Sequence, residues 1–264
     1  MQSPVGRSPG VARRVLIDLA VRDYQRQYQG TYLGFVWMFL QPLLFIAVLY
    51  MIFTVGFRAQ RTVDMPFGLY LVCGMISWNY ISGNLGAITG IVRAHAYLVK
   101  KVDVDLSVLP AVKLLSSLLP HLFLIGFAIG VAWWQGYEPA WYTLQVFYYL
   151  GASMVLLTGL GWISCSTSLF VRDVSNIVTV VTQFGFWLTP VFWNIRMIPD
   201  QYHWLIKLNP AVYVVTGYRD SIVAGIPLWD RWAEGAYFWS LALAICFIGH
   251  RVFKRLRPHF AEVV

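Results

Sequence analysis

Long apolar runs, separated by short clusters of charge and turn-forming residues, dominate the sequence. The first covers residues 32–57, and five more follow at 67–92, 108–134, 141–171, 177–195 and 235–253. Each is near or above the roughly 20 residues that an α-helix needs to cross a hydrocarbon core of about 30 Å. The pattern predicts an all-α integral membrane protein with six transmembrane helices. Pro42, Pro120 and Pro190 fall inside or near the ends of these runs, where neighbouring helices can re-satisfy the carbonyl that a proline frees. Run 32–57 is too long for the apolar part of a signal peptide and lacks a small-residue cleavage site, so it is expected to remain as a span.

Two segments have a different pattern. In residues 11–29, Ile17, Val21, Tyr24 and Tyr28 form one helical stripe, while Arg14, Asp18, Arg22, Gln25 and Arg26 lie opposite. Such a helix fits the inner membrane interface, apolar face down. In residues 196–234, Pro199 is placed to start a helix and Asn209-Pro210 to break one. Residues 211–224 are apolar, but as a helix they reach only about 21 Å, too short to cross. An N-terminal amphipathic interfacial helix and a re-entrant or interfacial helical hairpin before the last span are therefore expected. The chain divides into a tail and interfacial helix (1–30), spans one to five (31–195), the outer hairpin (196–234), and the last span with a basic tail (235–264).

Composition strengthens this picture. Of 264 residues, 58% are hydrophobic and only 12% charged, half the roughly 25% of a soluble domain, and mean hydropathy is +0.61. The formal charge of +8 could suggest nucleic acid, but its placement does not. With the N-terminus inside, fourteen Lys and Arg face the cytoplasm and six face outward, while the acids divide evenly. That asymmetry is the positive-inside pattern, so no nucleic acid partner is needed. Cys73, Cys165 and Cys246 all sit in apolar stretches and read as small buried residues.

Several kinds of chemistry are missing from the sequence. It contains no phosphate-binding P-loop and no metalloprotease, hydrolase or C-x-x-C motif, and its five His have no metal-ligand spacing. Mid-span acids, expected of an ion-coupled transporter, are missing. His121, just after Pro120, reads as a polar residue satisfied by a neighbouring helix, and Lys113 can snorkel from its inner end. Gly86-x-x-x-Gly90 and Gly126-x-x-x-Gly130 look like faces for close helix packing.

Aromatic and small polar residues are interleaved in the spans: Tyr32, Phe35 and Trp37; Ser77, Trp78, Asn79, Tyr80 and Ser82; Thr182, Gln183, Phe186, Trp187 and Thr189. This mixture suits a sugar chain, whose rings pair apolar faces with hydroxyls. It equally suits interfacial belts and polar contacts between helices. The loop 93–105 sets Tyr97, Leu98 and Val99 beside Lys100, Lys101, Asp103 and Asp105, which reads as a short helix docking on a cytoplasmic partner or as an interfacial loop. An ion-coupled secondary transporter of a glycan or lipid and a polytopic glycan-processing enzyme remain alternatives.

One set of motifs narrows the choice. Arg22-Asp23, Arg26, Tyr28, Gly30-Thr31-Tyr32-Leu33-Gly34-Phe35-Val36-Trp37 and Gln41-Pro42-Leu43 resemble the start of polysaccharide-exporting ABC permeases. Leu98, Lys100-Lys101, Leu109-Pro110, Phe170-Val171-Arg172-Asp173, Phe186-Trp187-Leu188-Thr189-Pro190-Val191, Ile198-Pro199, Asn209-Pro210 and Tyr218-Arg219 follow in the family's order. That family moves O-antigen, capsular polysaccharide and teichoic acid, and the Leu188–Val191 stretch is most similar to O-antigen permeases.

The resemblance implies a non-catalytic transport subunit of the bacterial inner membrane, with both termini cytoplasmic. It would act as a homodimer with two copies of a separate ATPase and a lipid-linked polysaccharide. No cofactor or metal would sit on this chain, since ATP and Mg would bind the partner. His95, Tyr97, Leu98, Lys100, Lys101 and Asp103, helped by Arg172 and Asp173, would couple to the ATPase. Tyr28, Leu33 and Gly34 would form the entrance. Tyr32, Phe35, Trp78, Asn79, Tyr80, Trp187 and Trp193 would line the channel. Asp103-Val104-Asp105 departs from the family's aromatic-Pro pair in the coupling loop.

Overall fold

The computed structural model describes residues 17–25, 34–56, 61–62, 65–99 and 105–263. Helix α1 covers residues 17–25. Helix α2, Gly34–Met51, runs into a wide π-helical turn, and a two-residue antiparallel hairpin pairs Thr62 with Met65. Helices α3 (Phe67–Thr89), α4 (Ile91–Ala94) and α5 (Ala96–Val99) follow. Then come α6 (Leu109–Ser116), α7 (Leu118–Trp134), α8 (Gln145–Phe170) and α9 (Asp173–Leu188). The chain closes with α10 (His203–Lys207), α11 (Pro210–Arg219), α12 (Trp232–Leu256) and α13 (Phe260–Val263).

Among the described residues, three helical stretches are long and apolar enough to cross a membrane: Leu106–Trp134, Trp141–Phe170 and Leu228–Val263, of 29, 30 and 36 residues. Helix α3 has 23 residues but is more polar, and its polar groups are satisfied within or beside the helix. Ser77 Oγ donates to the Cys73 carbonyl (2.9 Å), Ser82 Oγ to that of Trp78 (2.9 Å) and Asn84 Nδ2 to that of Tyr80 (2.8 Å). Asn84 Oδ1 also accepts from Ser117 Oγ (2.7 Å). Such internal satisfaction is what a helix without surrounding water requires.

Helix α3 is the hub, buried along most of its length and packed on α8, α9, α11, α7 and α2. Helix α11 and its π-helical extension Asp220–Ala224 lie almost wholly inside, against α3 and α8. Helix α9 is peripheral, with no buried residue. Apolar side chains such as Val48, Phe123, Phe184 and Phe247 face outward, so the outside of this helical body is itself apolar.

The structure corrects several expectations. Run 108–134 lies within one crossing stretch, as expected, but is kinked at Ser117 between α6 and α7, because Pro120 has no N–H for the Ser116 carbonyl. Run 177–195 is helical from Asp173 and stops at Leu188, since the residue before Pro190 is pushed to extended backbone; Thr189 has ψ 136. Asn209-Pro210 also starts a helix, for Asn209 Oδ1 accepts from Ala211 N (3.0 Å) and Pro210 takes the first helical position. Lys113 reaches α1: its Nζ lies 2.9 Å from Asp23, and Ser116 Oγ donates to the same carboxylate (2.7 Å).

The glycine faces also lie elsewhere. A Cβ at Gly86, Gly90, Gly126 or Gly130 would meet open space within the chain. The close helix pair is α8 with α12, where a Cβ at Gly159 would come within 2.7 Å of Cys246 N and one at Gly249 would overlap the Gly159 carbonyl. Cys246 is half-buried, whereas Cys73 and Cys165 are buried as expected.

Candidate functional site

A groove runs beside α3. Trp78, Asn79 and Ser82 lie one helical turn apart, and Thr182, Gln183, Phe186 and Trp187 form the matching turn of α9. Together with Phe45 of α2 they line a cavity of about 410 Å³. A second cavity of about 430 Å³ also uses Phe45, Asn79 and Ser82 and continues past Gln41, Asn84, Ser117 and His121. The groove thus alternates aromatic faces with amide and hydroxyl groups. Gly185 makes room for the Trp78 ring, which a Cβ there would meet at 2.7 Å.

The structure brings Trp78, Asn79 and Trp187 together on this groove, and Trp187 is 64% exposed. Tyr80 lies deeper. Its ring stacks 4.2 Å from His121, its hydroxyl donates to the Leu114 carbonyl (3.3 Å), and His121 Nε2 lies 2.7 Å from Tyr218 Oη. His121 is thereby satisfied by a neighbouring helix, as its place in the sequence suggested. Trp193 lies past the end of α9, where its Nε1 donates to the Trp187 carbonyl (2.9 Å) and its carbonyl accepts from Tyr70 Oη (2.7 Å). Tyr28, Tyr32 and Leu33 lie outside the described residues, as does the side chain of Phe35; Gly34 opens α2.

Past the end of α3, one end of the helical body gathers α4, α5 and the α8–α9 turn. Tyr97 is 44% exposed. His95 is turned inward and buried, with Nδ1 3.0 Å from the Ile91 carbonyl, so its side chain supports this segment from below. Arg172 and Asp173 are exposed, and Asp173 sits in the first turn of α9, where the helix dipole favours an acid. Lys100, Lys101 and Asp103 lie outside the described residues, and so does the Leu98 side chain.

Near the start of α3 lies a polar cavity of about 790 Å³, lined by Tyr70, Asn194, Arg219, Asp220, Arg231 and Glu234 among others. Arg219 is only 4% exposed. Its guanidinium lies 3.5 Å from the centre of the Tyr70 ring and donates to the carbonyls of Tyr70 (3.2 Å) and Val191 (2.7 Å). A Cβ at Gly74 would strike both Val191 and Arg219. Beside it, Asp220 pairs with Arg231, which reaches Glu234 (3.3 Å), which in turn holds Lys207 (2.7 Å).

Against known families, residues 15–223 match the one described as ABC-2 type transporter. The chain belongs to the ABC-2 type transporter family. Among its relatives is the O-antigen export system permease protein RfbA of Klebsiella pneumoniae, 25% identical over 95% of both chains. The RfbA protein of Myxococcus xanthus is 28% identical over 96% of both. The polysialic acid transport protein KpsM of Escherichia coli is 23% identical over 95% of this chain and 96% of its own. The helical body with its apolar exterior is thus that of an ABC-2 type membrane permease.

For this ABC-2 permease, the motifs Gln41-Pro42 and Phe186-Trp187 both contribute to the groove walls. Sequence reading singled out Gln183 within the aromatic-polar interleaving but missed Phe45, which lines both cavities. It also missed the burial of Arg219, which carries no local signal. Its partners Tyr70 and Val191 are 149 and 28 residues away.

Proposed function

We propose that this chain is the membrane-spanning subunit of an ATP-driven exporter that carries a lipid-linked polysaccharide, O-antigen foremost, across the bacterial inner membrane. The observation that carries the reading is similarity along almost the whole chain to permeases named for O-antigen and polysialic acid. The absence of a P-loop from the sequence agrees with ATP and Mg binding on a separate subunit. Two copies of the chain would pair with two ATPase subunits, and the α4–α5 segment with its following loop would dock on them.

The groove supplies the weak, repeated contacts that a sliding polymer needs. Asn79, Gln183 and Thr182 offer hydrogen bonds, while Trp78 and Trp187 offer flat apolar faces. In a strain lacking the chain, lipid-linked polysaccharide should accumulate on the inner face and surface polysaccharide should disappear. Retention of surface polysaccharide would overturn the reading. Trp187→Ala removes an aromatic contact worth on the order of 1 kcal/mol, so export per molecule of permease should fall about fivefold. Trp187→Phe should fall much less. If export tracks abundance alone in both variants, Trp187 belongs to a lipid-facing belt.

With six spans and both termini cytoplasmic, fourteen Lys and Arg lie inside and six outside, a division that supports this orientation. In a background without cysteine, a membrane-impermeant thiol reagent should label Arg61→Cys and Asp200→Cys from outside. It should leave Arg93→Cys and Lys254→Cys unlabelled. The opposite pattern would reverse the orientation.

A further inference from the structure

The last turn of α8 joins three parts of the α4–α5 end. Its final backbone bond runs from Val171 N to the Thr167 carbonyl (2.9 Å), so the carbonyls of Ser168 and Leu169 come next in line for donors. Arg93 of α4 supplies them: its Nη2 donates to the Ser168 carbonyl (2.5 Å) and reaches that of Leu169 (3.5 Å). Ser168 Oγ donates to the carbonyl of Thr89, the last residue of α3 (2.8 Å). On the other side the Phe170 ring meets Phe260 of α13, which is fully buried. Helix α9 starts three residues after Phe170, at Asp173.

A helix C-terminus attracts a cation through both its unpaired carbonyls and its dipole. A single guanidinium nitrogen, Nη2, makes both contacts, a short one to Ser168 and a long one to Leu169, on a side chain that stays charged at any physiological pH. Helix α9 packs on α3 and α8, although none of its residues is buried, so a displacement of its first turn would act on a helix in contact with the α3 side of the groove. It also carries Gln183 and Trp187 to the groove.

We propose that Arg93 is a positioning residue that ties the 91–99 segment to the α8–α9 turn, so that movement of that segment is passed to α9 and the groove wall it carries. The proposal rests on the reading that this segment docks on the ATPase. It adds that docking and transmission are separable, with Arg93 serving the second.

The test co-expresses Arg93→Gln and Arg93→Lys permeases with the ATPase subunit. It measures permease abundance, ATPase co-purified, and ATP consumed per polymer exported. Arg93→Gln should keep abundance and co-purification while export falls about tenfold, the scale of one charge-assisted hydrogen bond, so that ATP consumed per polymer rises. Arg93→Lys should fall between Arg93→Gln and the natural chain. Normal export in Arg93→Gln overturns the proposal, as does a fall that only follows abundance, which is what a mere helix cap would give. Loss of the ATPase along with export also overturns it, because Arg93 would then hold the docking surface itself. Failure of the docking reading shows separately, as an ATPase that still co-purifies with a Leu98→Glu permease.

Discussion

Replacing Arg231 with alanine should cost about 3–5 kcal/mol of stability, the usual cost of removing one partner from a buried ion pair. The Asp220 side chain is 5% exposed and that of Arg231 25% exposed. Two bonds join them: Nε to Oδ2, and Nη2 to Oδ1 at 3.1 Å. Without Arg231 the carboxylate would stay at the end of a helix packed against α3 and α8, left with only the Arg219 charge and the polar cavity it lines to compensate it. Glu234 would also lose one of its two cations, keeping only Lys207 at 2.7 Å. The purified Arg231→Ala permease should melt roughly 10 °C lower and accumulate poorly in the membrane. Adding Asp220→Asn removes the stranded charge, so the double variant should recover much of the loss. A single variant that melts like the natural chain would show that this pair does not hold the outer hairpin to the last span. Simple additivity in the double variant would show that the two residues are not coupled.

The apolar runs 108–134, 141–171 and 235–253 were legible because their signal is local: each falls in a helical stretch long and apolar enough to cross, and a run of 18 or more apolar residues rarely arises outside a membrane span. Local rules also foretold that Asn209-Pro210 would interrupt the chain and that 196–224 would make short helices. What needed distant partners was not legible. Arg219 looks like one more outward-facing cation in the sequence, yet it is buried because Tyr70, Val191 and the missing side chain of Gly74 together build its cavity. The glycine spacing at 86–90 and 126–130 was readable but misleading within one chain. A pattern of small residues says that a backbone can approach, and only the tertiary arrangement selected Gly159 and Gly249 for that approach. In the groove, Trp78, Asn79 and Trp187 were found from their aromatic-polar interleaving. Tyr80 shares that pattern but sits two residues from Trp78, so it turns to a different side of α3 and meets His121.

A carboxylate at position 98 should have the largest effect on transport of any single change at the inner end. Helix α5 is one short turn, Ala96–Val99, with the 44%-exposed ring of Tyr97 on it. Its footing is firm, since His95 is buried beneath it and Arg93 is bonded to the end of α8. A small apolar patch on a firm base, followed in sequence by Lys100 and Lys101, is suited to a pocket on a cytoplasmic protein. Leu98→Ala would forfeit only apolar contact, about 2 kcal/mol if fully buried in the complex. Leu98→Glu adds the burial of a charge, a further penalty of several kcal/mol unless the group reaches water. The series Leu98→Met, Leu98→Ala and Leu98→Glu should therefore lose co-purified ATPase in that order, from almost none to more than about a hundredfold. Export should fall in step while permease abundance holds. Because the change lies on an inner turn, the thermal stability of the isolated permease should barely move, unlike that of Arg231→Ala. An ATPase that binds the Leu98→Glu permease normally and still drives export would remove α5 from the contact and with it the proposed route from ATP hydrolysis to the groove.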